Sequence, residues 1–285
     1  MRRVAVVVGL LGLAAASIRC SGYGSSDASD AGAGDAGTDT GTPPPPPPPS
    51  DDAGSDAGPD PIAAYVAAVT TDAPITWFRL EDAPGSSTVK DEMGHHPGKV
   101  DGNVDLGTAA AVGKGATLDT TATIGLGDVF DFPGDQAWSY EFWTKPDLVN
   151  GGQFLDVFSK GSAAGLTGYN FYVRNQSASS ASVQWEQAWD GGSRGCLAEI
   201  GKPTTWVHVV ATYSSGAGKP RMFVNGVAGT NGDYGDVGGA PDTSQSFEIG
   251  GGYVGMLDEI AIYDHALPPA RIAAHYAAGA AAFGK

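Results

Sequence analysis

Cysteine is nearly absent from this 285-residue chain: there are two, Cys20 and Cys196. A disulfide-stapled scaffold is therefore excluded, and a Cys20–Cys196 bridge would only tie a tether to a domain. Basic residues are also scarce, 16 against 32 acidic ones. Residues 61–285 keep 13 basic and 24 acidic groups, a formal charge of −11. Such a surface repels phosphate backbones and anionic lipid, which argues against nucleic-acid and membrane-surface partners while leaving divalent cations open. Between residues 21 and 60 there is no Leu, Ile, Val, Phe or Trp, so that stretch cannot form a core. No His-Glu-x-x-His zinc motif and no internal repeat occur. The one long apolar run, Val4 to Ala16, is too short to span a bilayer as a mature anchor.

That run follows Arg2-Arg3 and reads, over residues 1–20, as an export signal. Ala14-Ala15-Ala16 offers an ordinary cleavage site, whereas Cys20-Ser21-Gly22 resembles the acylated cysteine of a lipoprotein, with Arg19 an unusual neighbour. A long tether directly after a cysteine favours lipidation of Cys20. Residues 21–60 then form a stalk in which Pro43 to Pro49 make a polyproline II rod of about 20 Å. The expected location is the cell envelope or outer surface, with contact to membrane only through the lipid, or secretion.

From Pro61 the pattern changes. Pro61 to Val69 has proline at a helix start and apolar residues three to four apart. Residues 268–280, with Ile272 and Tyr276 four apart, predict a closing helix ended by Gly279. Between them lie short runs bounded by Gly, Asp, Asn or Pro: Ile75 to Leu80, Ala116 to Leu118, Trp138 to Thr144, Phe154 to Ser159, Tyr169 to Arg174, Val183 to Gln187, Trp206 to Tyr213, Arg221 to Val224, Ser246 to Ile249 and Met256 to Tyr263. With 43 glycines, this predicts an all-β antiparallel sandwich over residues 61–285 with a short helix at each end.

Three phrases are more specific: Trp206-Val207-His208-Val209-Val210-Ala211-Thr212-Tyr213, Met222-Phe223-Val224-Asn225-Gly226, and Gly255-Met256-Leu257-Asp258-Glu259-Ile260-Ala261-Ile262-Tyr263. With the entry segment from Tyr65 to Glu81 and the turn from Asp91 to Gly98, they resemble the LamG-like jelly-roll domain of the concanavalin A-like lectin/glucanase group, over Tyr65 to Gly279. The resemblance implies a jelly-roll sandwich that serves as a binding module, an adhesin or a hydrolase. It also implies a structural or ligand-bridging Ca²⁺, with Glu81, Asp82 and Asp258 as the ligands that the first and last strands would bring together, and Asp105 or Asp119 as substitutes in other loops.

A glycoside hydrolase needs two carboxylates across one sugar, and no Glu-x-Asp-x-x-Glu run is present. Asp258 and Glu259 are adjacent, which on a regular strand sends them to opposite faces. The expectation is a non-enzymatic module. Alternation gives Trp138, Tyr140 and Phe142 to the core, and Glu141, Trp143 and Lys145 to the other face. A glycan-binding patch of Glu141, Trp143, Tyr172, Arg174, Gln184, Glu186 and His208 follows, because sugar C–H faces stack on flat rings beside polar groups. The competing reading makes the tryptophans core and the polar set an internal charge network, with His208 hydrogen-bonded within the sheet. The expected partner is carbohydrate or a surface glycoprotein bound by a monomer; the alternative is a protein–protein adhesion or structural envelope domain.

Overall fold

The computed structural model describes residues 60–283 except 133, 149–153, 162–166, 178–179, 190–191, 202–204, 230–231, 233 and 236–242. Export signal, stalk and Cys20 lie outside the described residues. The elements are α1 (Pro61–Thr71), β1 (Thr76–Phe78), β2 (Thr88–Val89), β3 (Gly98–Asp101), β4 (Val104–Ala109), β5 (Lys114–Leu118), β6 (Thr123–Gly127), β7 (Trp138–Pro146), β8 (Phe154–Gly161), β9 (Gly168–Ser177), β10 (Ser180–Trp189), β11 (Gly192–Gly201), β12 (Val207–Tyr213), β13 (Arg221–Val224), β14 (Val227–Ala228), β15 (Tyr234–Gly235), β16 (Phe247–Gly250), β17 (Gly255–Tyr263) and α2 (Pro269–Ala282). They build two antiparallel sheets. One has eight strands in the order β14-β13-β12-β7-β17-β5-β4, with β1 also paired to β17. The other has nine, in the order β15-β11-β10-β9-β8-β16-β6-β3-β2.

Particular runs of the sequence have identifiable physical roles. In β7, Trp138, Tyr140 and Phe142 point between the sheets, where Phe158, Phe171, Trp185, Ile249 and Leu257 meet them in the main core. The alternate residues Ser139, Glu141 and Trp143 point outward, yet all are buried, because α1 and α2 cover this face. Val-Asn-Gly is the turn between β13 and β14: Asn225 and Gly226 both have positive φ, 50° and 76°, as a tight hairpin turn requires. Asn225 Oδ1 also accepts the His208 amide at 2.9 Å, and a Cβ on Gly226 would sit 3.1 Å from Tyr276 of α2. In the turn after β2, the Asp91 carboxylate accepts amides of Trp77, Met93, His95 and His96. Burial opposes ionisation of Asp91, but these backbone donors prevail and hold its pKa below the ordinary value.

Two expectations are corrected. Gly279 does not end the last helix; it is buried inside α2, which runs to Ala282. A Cβ there would lie 2.4 Å from Trp143 Cζ2, so glycine at this position lets the helix approach the sheet. Asp258 and Glu259 do not face opposite ways. Asp258 pairs with Trp143 and Ala261 with Glu141, so β17 carries one extra residue, and Glu259 adopts φ +53°. This bulge turns both carboxylates toward the helix-covered face.

Candidate functional site

The expected glycan patch is divided by the sandwich. Glu141, Trp143 and His208 lie on the outer face of the eight-stranded sheet, beneath the helices, and are 0%, 2% and 0% exposed. Tyr172, Arg174, Gln184 and Glu186 lie on the outer face of the nine-stranded sheet, on β9 and β10. The single surface is thus corrected to a buried layer and an open face.

The buried layer is a charge network that anchors the helices. Glu141 accepts from Tyr263 Oη at 2.7 Å and faces His208 Nε2 at 2.8 Å and His275 Nδ1 at 3.0 Å. On its other side, His275 Nε2 meets Asp72 Oδ2 at 2.7 Å and the Ala68 carbonyl at 3.1 Å. Two acceptors on each side suit the doubly protonated imidazolium. Burial opposes the charge of Glu141, but the His275 charge and both imidazole hydrogen bonds hold its pKa well below the usual carboxylate range. His275 is raised in return: burial lowers it, and Glu141 with Asp72 outweighs that. Every member reaches protein partners, and no sugar could touch it without removal of a helix.

The carboxylates expected to gather around calcium are each engaged elsewhere. Glu81 Oε1 accepts from Arg79 Nη2 at 2.8 Å, and Asp82 Oδ1 accepts the Lys90 amide at 3.1 Å. Asp258 Oδ2 accepts the Val112 amide at 2.9 Å, and its pKa is raised by burial and by Glu259 beside it. Glu259 accepts from Trp77 Nε1 at 2.7 Å and Arg79 Nε at 3.0 Å. Among the described residues no group of three or more His, Cys, Asp or Glu side chains could hold a metal ion.

The open face is built by strand pairing. The register aligns Glu186 with Asn170, Asn170 with Ser159, Ser159 with Glu248, Glu248 with Gly125, and Gly125 with Lys99. These residues form one polar row across six strands, and none of them belongs to either core. At the β8–β9 end, Phe154 is 56% exposed and meets Tyr172 edge-on, ring centroids 5.4 Å apart. The Arg174 guanidinium lies 5.4 Å from the Phe154 centroid. Tyr172 Oη donates to Glu186 Oε2 at 3.3 Å. Asp156, paired with Tyr172 across the strands, is half-buried, and desolvation raises its pKa. Farther along, a groove of about 270 Å³ runs over Gly125 and Gly127 between Lys99, Asp101 and Thr123 on one side and Ser246 and Glu248 on the other. The face thus offers one exposed ring, Phe154, together with a guanidinium, carboxylates and the Asn170 amide.

Phe154 was not among the residues expected at the site. By strict alternation it shares a face with Phe158, but the register shifts between Asp156 and Phe158, so Phe154 points out and Phe158 points in. Asp156 and Glu186 stand two strands and one row apart, about 12 Å between Cα atoms from strand geometry. The chain also spells Gly-x-Ser-x-Gly at Gly191-Gly192-Ser193-Arg194-Gly195, but Ser193 lies within β11, paired with Ala188. It therefore lacks the strand-to-helix turn of a nucleophile elbow.

No curated protein sequence matches this chain. Among solved structures, it is similar to domain 4 of AbnA, a GH43 extracellular arabinanase from Geobacillus stearothermophilus, in complex with arabinotriose: TM-score 0.50, 19% identity, covering 71% of this chain and 98% of that one. It is also similar to the botulinum neurotoxin serotype D binding domain, TM-score 0.54 and 15% identity, covering 74% of this chain and about half, 52%, of that one. These likenesses show the fold. Residues 118–273, more than half of the sequence, match the Laminin_G_3 family, and the chain belongs to the concanavalin A-like lectin/glucanases superfamily.

Proposed function

We propose that the domain is a non-catalytic binding module that takes carbohydrate, free or on a glycoprotein, on the open face of the nine-stranded sheet. The observation that carries this reading is the cluster of exposed Phe154 and Arg174 around the edge of Tyr172, which is 8% exposed, beside Glu186 and Asp156. A sugar ring stacks its C–H face on Phe154, while its hydroxyls are within the reach of carboxylate and guanidinium groups. Family membership and neighbours named for carbohydrate complexes and binding domains support the same class. The polar row toward Lys99 gives a longer chain further hydrogen-bonding groups.

Retention on a polysaccharide panel tests it, with Phe154→Ala and Glu186→Gln as variants. The expected result is retention by the wild type that both substitutions weaken, with melting unchanged. Trp143→Ala does not serve, because Trp143 is buried and its loss reports on folding. Absence of wild-type retention on every glycan, with a protein captured through the same face, would favour the adhesion reading instead. Repeating the panel with EDTA tests the calcium assistance that the family resemblance implies. Export and lipid attachment belong to this reading too: Cys20→Ser should abolish incorporation of labelled fatty acid.

A further inference from the structure

Only two exposed aromatic side chains stand out among the described residues, Phe154 and Phe283. Phe154 belongs to the open face. Phe283 sits on the opposite side of the sandwich, at the end of α2, where it lines a pocket of about 210 Å³ with Trp143, Thr205, Trp206, Tyr276 and Ala280. Four of these six residues are aromatic, and none is charged. Tyr276 stacks on Trp143 with centroids 5.9 Å apart and an interplanar angle of 23°, and Trp143 itself is 2% exposed.

Ala280 and Phe283 are the last turn and the C-cap of a 14-residue helix that has no basic residue in its last turn. The terminal carbonyls there carry the negative end of the helix dipole. The domain around it is strongly acidic, with 24 acidic against 13 basic groups in residues 61–285. Aromatic faces and a helix C-terminus both attract positive charge. A metal ion is ill-suited, since no carboxylate or imidazole lines the walls. A sugar would find few polar partners, because Thr205 is the one aliphatic hydroxyl among the lining residues. A quaternary ammonium group meets both conditions. Its charge is spread over methyl groups that need no hydrogen bonds, and aromatic cages bind it through cation–π attraction.

We propose that this pocket binds a trimethylammonium head group of the choline type. The site is independent of the carbohydrate-binding face, and its failure would leave that reading intact. The test titrates the full chain, at fixed ionic strength, with choline chloride and with 3,3-dimethylbutan-1-ol, its neutral isostere, following tryptophan emission and heat. Choline is expected to bind at least about tenfold more tightly than the alcohol, and Phe283→Ala to weaken choline by about five- to tenfold. Ala280→Lys, at an exposed helical position, should abolish choline binding without altering melting, because it places a fixed cation at the rim. Phosphatidylcholine vesicles distinguish the sources. Co-sedimentation that choline competes away identifies a lipid head group, and binding of free choline alone identifies a solute. Equal affinity for choline and the alcohol, no wild-type binding of choline, or indifference to both substitutions would overturn the proposal.

Discussion

Replacing Glu141 by Gln changes no volume in the core, yet it should be among the most damaging substitutions in this domain. The carboxylate is fully buried and meets three groups, Tyr263 Oη, His208 Nε2 and His275 Nδ1, at 2.7, 2.8 and 3.0 Å. Glutamine keeps one acceptor oxygen and turns an NH₂ toward the other donors, so at best part of the set survives. Removing one partner of a buried pair costs about 3–5 kcal/mol, from which a retained hydrogen bond recovers about 1 kcal/mol. The expected loss is therefore about 3 kcal/mol, a large share of the roughly 5–15 kcal/mol that holds a domain together. The pH dependence follows from the directions of the shifts. The pKa of Glu141 is depressed, so its contribution is present above the unfolded value of about 4.3 and is lost as pH falls through the folded value. His275 is raised, so its contribution is complete below about 6.5 and is lost as pH rises through the folded value. Both act fully between about pH 4.3 and 6.5. Urea unfolding followed by tryptophan emission should show the largest loss near pH 5.5 and a smaller one at pH 9. A loss below about 1 kcal/mol at pH 5.5, or one indifferent to pH, would refute the charge-network account.

Gly279→Ala should destabilise by about 1–2 kcal/mol even though alanine is about 1 kcal/mol the better helix former, because the new methyl meets Trp143 at 2.4 Å; a rise in melting temperature would show that Trp143 can yield. Asp258→Asn should change stability at pH 7 by no more than about 1 kcal/mol, since burial and Glu259 already favour the neutral carboxyl; a loss of several kcal/mol would mean that the buried group is ionised. Phe154→Ala should leave stability within about 0.5 kcal/mol while weakening polysaccharide retention, as suits a side chain that is 56% exposed; chemical denaturation alongside the binding assay separates the two effects.

Strand parity was legible in the sequence wherever the strands are regular. In β7 the inward set Trp138, Tyr140 and Phe142 and the outward set Glu141 and Trp143 fall where period two puts them. What covers the outward set was not legible, because no pattern within β7 says that α1 and α2, far from it in sequence on either side, come to lie on it. Parity failed at bulges. One residue with positive φ, Glu259, turned two adjacent carboxylates to the same side, and the shift in β8 exposed Phe154 while burying Phe158. Gly279 failed for a related reason: a helix-interior glycine looks like a stop signal locally, and only the approach of Trp143 explains it. The strands β3, β4, β6 and β11 carry too many Gly, Asp, Ser and Thr residues for hydrophobic pattern to declare them; pairing with neighbours makes them strands.

The charged layer beneath the helices bears on function through geometry rather than through contact with a ligand. A sandwich of two sheets has two outer faces, and here one is occupied. His275 joins α2 to β7 through Glu141 and to the end of α1 through Asp72, while Arg271 Nε adds 2.8 Å contact with Asp72. This fixes where α2 lies, and hence brings Tyr276, Ala280 and Phe283 of that helix and its cap to the small pocket they line with Trp143 and Trp206. Among the described residues, no helix covers the outer face of the nine-stranded sheet. Residues that resembled a binding site in the sequence thus hold two helices down on one outer face of the sandwich, so the faces left for the proposed ligands are the other sheet and the helix end.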